Sequence, residues 1–134
     1  MKEIEVAAAI IENENGEILI CQRAIGSSMG GLWEFPGGKR EPNESFEQCV
    51  IRECKEELNI DLNVTKEFAK TEYQYPNVHI KFVFFEAQII SGTIQKNVHE
   101  NTKWIHRSEF NNYDFCPADV EVVEHLVLSS IDSF

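Results

Sequence analysis

Basic residues are scarce in this chain. Lysine and arginine together number 12, against 23 aspartates and glutamates, giving a formal net charge of −11. Nonspecific binding of a nucleic-acid polymer needs a basic footprint, so that class is excluded. A small anionic ligand is not, because divalent cations can bridge phosphates to carboxylates. No run of about 18 apolar residues occurs, which argues against a membrane-spanning helix. The apolar start of the chain has acids on both sides and no basic segment before it. It reads as a strand and not as a leader, and the expected location is the cytoplasm. The four cysteines, Cys21, Cys49, Cys54 and Cys116, form no CxxC pair. Zinc spacing is therefore missing, and small buried hydrophobes are expected in place of a disulfide framework. The four histidines are scattered and call for no special role. Repeats, linkers and low-complexity tracts are also absent, and the expectation is one domain over residues 1–134.

What is present suits a folded core. The chain is 43% hydrophobic, and a chain of this length buries roughly 68% of its unfolded surface. "IEVAAAII" (4–11) has strand length. "NENG" ends in Asn15-Gly16, a hairpin signal, and "EILICQ" (17–22) returns as a second strand. "RAIGSSMGG" (23–31) reads as a loop, and "LWEF" (32–35) runs into a tight "PGG" turn. From Ser45 to Leu58 the period becomes helical. Ser45 with Gln48 makes a capping box, and Asn59 tolerates the left-handed conformation at the helix end. Strand resumes at about Thr65–Tyr75, turns at Pro76-Asn77, and continues as "HIKFVFFEAQII" (79–90). A polar loop to Thr102, a short strand at 103–106 and a helical turn at "SEFNN" follow. A closing helix is expected over 117–131, with Pro117 near its first position. The fold class is α/β (α+β), with helices covering the faces of a mixed β-sheet.

The stretch "RECKEEL" (52–58) concentrates three acids. On a helix Glu53, Glu56 and Glu57 are surface neighbours, beside a core stripe of Val50, Ile51, Cys54 and Leu58, while Arg52 and Lys55 project elsewhere. Like charges at this spacing cost a few tenths of a kcal/mol per pair, and the helix C-terminus disfavours anions. Something cationic should offset both. The plain reading is a solvated acidic face. The sharper one is a site for a hard cation, since carboxylates suit Mg²⁺ or Mn²⁺ completed by water and substrate phosphates. The context upstream favours the second. In "EFPGGKREPNES", Gly37 and Gly38 let backbone approach a ligand or present a carbonyl to a metal, and Glu44 stands near the helix start.

From Gly38 the chain reads G-x5-E-x7-R-E-C-K-E-E-L-N-I. This resembles the Nudix box, G-x5-E-x7-R-E-U-x-E-E-x-G-U, where U is aliphatic. Gly38, Glu44, Arg52, Glu53, Glu56, Glu57 and Ile60 match. Cys54 replaces an aliphatic residue and Asn59 replaces the last glycine; neither is a metal ligand. "GLWEFPGGK" and "PADVEVVEHL" extend the likeness toward the MutT-like branch, which contains 8-oxo-dGTP diphosphatases and CTP or deoxycytidine-type pyrophosphohydrolases. The resemblance implies an α/β/α sandwich and Mg²⁺-dependent (or Mn²⁺-dependent) hydrolysis of a nucleoside triphosphate to monophosphate and pyrophosphate.

Its implications for single residues are expectations. Glu53, Glu56, Glu57 and the Gly37 carbonyl hold metal. Glu100 adds a carboxylate, or is an exposed loop acid. Glu53 is the first choice for general base and Glu100 the second. Glu44 and Arg52 form a structural ion pair. Arg23 contacts phosphate or sugar, or lies on the surface. Phe35 and Tyr75 flank the base with the Gly37–Gly38 backbone nearby, or belong to the core, and Trp33 is packing. Asp119 reads the base edge: as a carboxylate it accepts from cytosine or guanine, and protonated it also donates. Val78 stands where a larger contact residue occurs in oxidised-guanine enzymes. The partner is a small nucleotide, the chain is a monomer or homodimer, and the leading role is 8-oxo-dGTP-type pool sanitisation. Hydrolysis of CTP, dCTP or 5-methyl-dCTP, another Nudix substrate, and a non-catalytic nucleotide-binding module are the alternatives.

Overall fold

The computed structural model describes residues 2–132, with side chains through residue 128; Met1, Ser133 and Phe134 of the expected domain lie outside the described residues. Strands are β1 (Lys2–Ile11), β2 (Ile18–Arg23), β3 (Trp33–Glu34), β4 (Gly37–Lys39), β5 (Ile60–Tyr75), β6 (Val78–Gly92) and β7 (His99–Ile105). Helix α1 spans Phe46–Leu58 and helix α2 spans Val120–Asp132. Short 3-10 turns occupy Arg107–Asn112 and Pro117–Asp119.

The strands form two sheets. The larger has the order β4-β1-β6-β5 and is mixed: β1 runs parallel to β6, while β4 and β5 are antiparallel to their neighbours. The smaller is antiparallel, in the order β3-β2-β7. Residues 7–11 of β1 are all buried, as are 18–21 of β2. A strand covered on both faces reads as a continuous apolar run, because alternate side chains enter different cores. Ala7, Ala9 and Ile11 pack with Cys49, Val50, Cys54 and Leu58 of α1. Ala8 and Ile10 pack with Phe35, Phe84 and the α2 residues Val122, Val123 and Leu126. The result is the α/β/α arrangement. Among the described residues no helix is long and apolar enough to cross a membrane, and all four cysteines are free and buried.

Several local expectations change. The Asn15-Gly16 turn forms, with Gly16 at φ 74° and its N–H donating to Asn13 O. Its two strands meet only at the Glu12–Ile18 bridge and then part into different sheets. β6 takes one edge of β1 along its length and β4 takes the other at Val6–Ala8, so the hairpin does not extend past the bridge. The "PGG" segment is not a turn beyond Pro36 but strand β4, in register with Ala7 and Ala8. β5 begins at Ile60, where the alternation of "IDLNV" already carries the strand period. β7 begins at His99, ahead of the expected 103–106 strand, because β2 offers it a partner. The closing helix starts as a 3-10 turn at Pro117.

Helix α1 shows both caps. Ser45 accepts from the Gln48 amide, Gln48 Oε1 accepts from the Ser45 amide, and Asn59 takes φ 60°. These fix where the acidic face begins and ends. The neighbouring strand β4 is fixed by space. A Cβ built on Gly37 would collide with the Ala7 backbone. We expect Gly37→Ala to destabilise the fold by about 1–3 kcal/mol through overpacking. Urea unfolding measures this, and an unchanged midpoint would contradict the close approach.

Candidate functional site

Beside strand β4 lies a cavity of about 590 Å³. Arg23, Phe35, Gly37, Gly38, Glu57, Tyr75 and Asp119, all anticipated above, line it together. Val78 lines it too, along with Glu34, Met29 and Cys116. Phe35 is only 3% exposed and makes edge contacts with Phe84 and Phe110, so one ring serves both core and cavity. The Tyr75 hydroxyl faces Met29 Sδ at 3.9 Å. Trp33 packs edge-on against Tyr113 and belongs to the core.

The acidic helix face adjoins this cavity but divides. Arg52 does not point elsewhere, as helical phase suggested. Its guanidinium forks onto Glu44, with Nε to Oε2 at 3.0 Å and Nη2 to Oε1 at 2.8 Å. Nη1 also reaches Glu53 at 3.0 Å and the exposed Glu56 at 3.3 Å. The long arginine stem lets the charge swing across the helix surface toward the acids, which phase at Cα does not capture. This is the cation that the cluster needed. It holds the Glu44 carboxyl down to about 2, mainly by its hydrogen bond, with the Glu41 amide helping. Glu53 is pressed beneath Gly38, where a Cβ would strike its carboxylate. Burial raises Glu53, and Arg52 opposes the rise.

Glu57 is the acid left over. Burial, with the nearby charges of Glu53 and Glu34, pushes it up to about 8, against the pull of the Gly37 backbone and Arg23. Its Oε1 is buried with no hydrogen-bond partner. A buried carboxylate oxygen without a donor is costly, and a hard cation would satisfy it. Among the described residues no three acidic, cysteine or histidine side chains converge into a closed cage. Mg²⁺ does not require one, since it binds through one or two carboxylates and completes its shell with water and phosphate oxygens. The residues present fit such an ion, with Glu57, Glu53 and the Gly37 backbone as its holders.

Glu100 takes the second of its two expected places, that of an exposed acid. Neighbours in a strand face opposite sides. In β7 His99 is buried and Glu100 is exposed, and Glu100 Oε1 accepts from the Ile25 amide at 3.2 Å. Its carboxylate braces the 24–31 loop and does not line the cavity. Asp119 lies deep: it is 5% exposed, and burial, reinforced by the Glu34 charge, raises its carboxyl well above the usual range. In its protonated form the carboxyl carries both a donor and an acceptor.

Two residues escaped the sequence reading. Glu34 pairs with Arg23 at 3.0 Å and with His99 at 2.9 Å. An acid between Trp33 and Phe35, in an apolar strand, is the signal that should have prompted a search for partners. Nothing in the sequence near His99 says that it is buried.

The titration of Glu57 yields a pH signature. An acid raised in the folded state favours folding most at low pH. In the metal-free protein that contribution declines as pH rises from about 4.5 to about 8. A divalent cation needs the ionised form, so its stabilising effect should grow over the same interval and release a proton. Melting temperature with and without Mg²⁺ across this range measures it, and Glu57→Gln should abolish most of the Mg²⁺ shift. A pH-independent shift would remove Glu57 from the cation site.

The model of the NUDIX domain family matches residues 2–126. The chain is 40% identical over 124 residues to the CTP pyrophosphohydrolase of Escherichia coli (strain K12), covering 92% of this chain and 91% of that one. It is 37% identical over 126 residues to the 8-oxo-dGTP diphosphatase of the same organism, covering 94% and 98%. The solution structure of the E. coli ORF135 protein superimposes with a TM-score of 0.80 at 39% identity, over 92% of this chain and 88% of that one. Relatives of this identity and coverage agree with the helix-borne acids and the glycine strand beside them: the chain belongs to the Nudix hydrolase family, whose members need a divalent metal and act on small nucleotide substrates.

Proposed function

We propose that this protein hydrolyses a nucleoside triphosphate to the monophosphate and pyrophosphate with Mg²⁺, and that 8-oxo-dGTP is the leading substrate. The observation that carries this reading is a single cavity with two kinds of wall. One wall is apolar and aromatic, built from Phe35, Phe82 and Tyr75, and holds the buried Asp119, whose carboxyl is raised well above the usual range by burial. The other is the Gly37–Gly38 strand beside Glu57. A purine fits against the first, and a cation-bridged polyphosphate against the second.

The residues divide the work accordingly. In its protonated form Asp119 offers an O–H and a C=O side by side, which matches a base edge carrying adjacent donor and acceptor, as O6 and N1–H do in an oxoguanine. Arg23 donates to a phosphate or sugar oxygen. Glu53 and Glu57 hold the cation, with the Gly37 backbone. A cation there supplies charge neutralisation on the phosphates and a more acidic water. Glu53 takes the proton of the attacking water: burial has already raised its affinity for one. Glu100 is a weaker choice for that role, because the Ile25 amide would first have to release it. The Arg52–Glu44 fork keeps the glycine strand and the helix in register.

A second reading has specific support. The protonated form of Asp119 also matches the N4 amino group and N3 of cytosine, Val78 leaves the wall small, and the relative at 40% identity is a CTP pyrophosphohydrolase. The two readings separate on pyrophosphate release from 8-oxo-dGTP, dGTP, CTP, dCTP and 5-methyl-dCTP with Mg²⁺. Highest kcat/KM on 8-oxo-dGTP supports sanitisation of the nucleotide pool; highest on a cytidine nucleotide overturns it. Glu53→Gln should lower kcat by about 10²- to 10⁴-fold, the span of a lost general base. Asp119→Ala should cost the preferred base about 10- to 100-fold in kcat/KM and the others less. Equal losses on every base would remove Asp119 from base reading.

A further inference from the structure

Glu34, Arg23 and His99 form a chain of contacts across the smaller sheet. Each comes from a different strand: Glu34 from β3, Arg23 from β2 and His99 from β7. The register between β2 and β7 slips at Gln22/Arg23, and Arg23 then stands opposite His99. Such irregularities re-aim a side chain and gather next to active sites.

The contacts use up the hydrogen-bonding groups one by one. Glu34 Oε1 accepts from Arg23 Nη1 at 3.0 Å, and Glu34 Oε2 lies 2.9 Å from His99 Nε2. Arg23 Nε donates to Ser28 O at 2.6 Å. Nη2 of Arg23 has no acceptor among the described residues, and Arg23 lines the cavity. His99 Nδ1 is buried without a partner. A proton on Nδ1 would be a buried donor with nothing to donate to, so the ring hydrogen sits on Nε2 and goes to Glu34. Exposure rises along the chain, from 3% for the His99 side chain to 17% for Glu34 and 33% for Arg23. It is anchored in the core and opens at the cavity.

Stability is a poor reason for this arrangement. Desolvating ionised groups costs about as much as their attraction returns, and apolar side chains would fill the space as well. Orientation is a better reason. A lone arginine on a strand end samples many rotamers, while one held at two nitrogens presents the third in a fixed direction. We infer that His99 is a positioning residue which, acting through Glu34, aims Arg23 Nη2 at an oxygen of the bound nucleotide. This rests on the nucleotide reading above.

Two readouts test it. The side-chain Nε–H signal of Arg23 in ¹H–¹⁵N NMR, assigned by its loss in Arg23→Lys, requires no turnover. It should be sharp in the wild type, broadened or lost in His99→Ala, and recovered in His99→Gln, whose amide can still donate to Glu34. Kinetics on the best triphosphate should show KM raised about tenfold in His99→Ala, the effect of one directed hydrogen bond, with kcat changed much less. His99→Gln should restore most of the loss, and His99→Ala should add little to Arg23→Ala, since the two act as one unit. An unchanged Arg23 signal in His99→Ala, or an equal KM rise for Ala and Gln, overturns the inference. So does a full additional loss in the double variant. If His99→Ala does not fold, the isosteric Glu34→Gln should raise KM and broaden the Arg23 signal in the same way, and wild-type values there overturn it. If the wild type cleaves no triphosphate, the functional reading fails while the Arg23 signal still decides the positioning.

Discussion

At Gly37 and Gly38 strand β4 passes so close to β1 and helix α1 that a Cβ finds no room. Gly37 lies against the backbone of Ala7 and Ala8, and Gly38 lies against the carboxylate of Glu53. Two consequences follow from these approaches. The backbone of β4 pairs with β1 and joins the larger sheet, so the two glycines are held in place without side chains. The same backbone forms one wall of the cavity, directly over the acids of α1. A side chain at either position would separate helix from sheet, and the acids would lose their fixed distance from whatever occupies the cavity.

That geometry explains why the acids of α1 behave so differently despite sharing one helix. Arg52 is a single cation with a long reach, and it serves Glu44, Glu53 and Glu56 at once. Glu44 is brought far down and becomes a strut. Glu56 remains exposed. Glu57 points the other way, toward Glu34 and the cavity, beyond the reach of Arg52, and burial drives it upward. An electrostatic imbalance confined to one buried carboxylate is what a divalent cation corrects most effectively. It is stored in the fold by the capped helix and the glycine strand, not by any property of glutamate itself.

The parts of this that the sequence disclosed are those with a local signature. Ser45 and Gln48 announced the helix start, Asn59 its end, and the spacing of Glu53, Glu56 and Glu57 their common surface. The apolar runs of β1 and β2 announced strands, though not that a hairpin signal at Asn15-Gly16 would join two different sheets. That outcome depends on β4 and β6 claiming both edges of β1, a long-range competition with no local mark. "IDLNV" carried strand alternation that a helix end next to it obscured. Arg52 was misdirected because helical phase locates Cα, and a guanidinium travels several ångströms from there. For Glu100 family position left a ligand and an exposed acid both open, and the pleat of β7 turns His99 inward and Glu100 outward.

His99 also bears, through Glu34, on the acids of the cavity. Glu34 is bound on one side by His99 and on the other by Arg23, so its charge stays fixed within the cavity wall. That charge bears on Asp119, where it adds to burial in favouring the protonated acid, while Arg23 opposes it. Glu57 feels the same pair with the same signs. Glu34 and Arg23 thus sit between the two walls of the cavity and act on the carboxyl group of each.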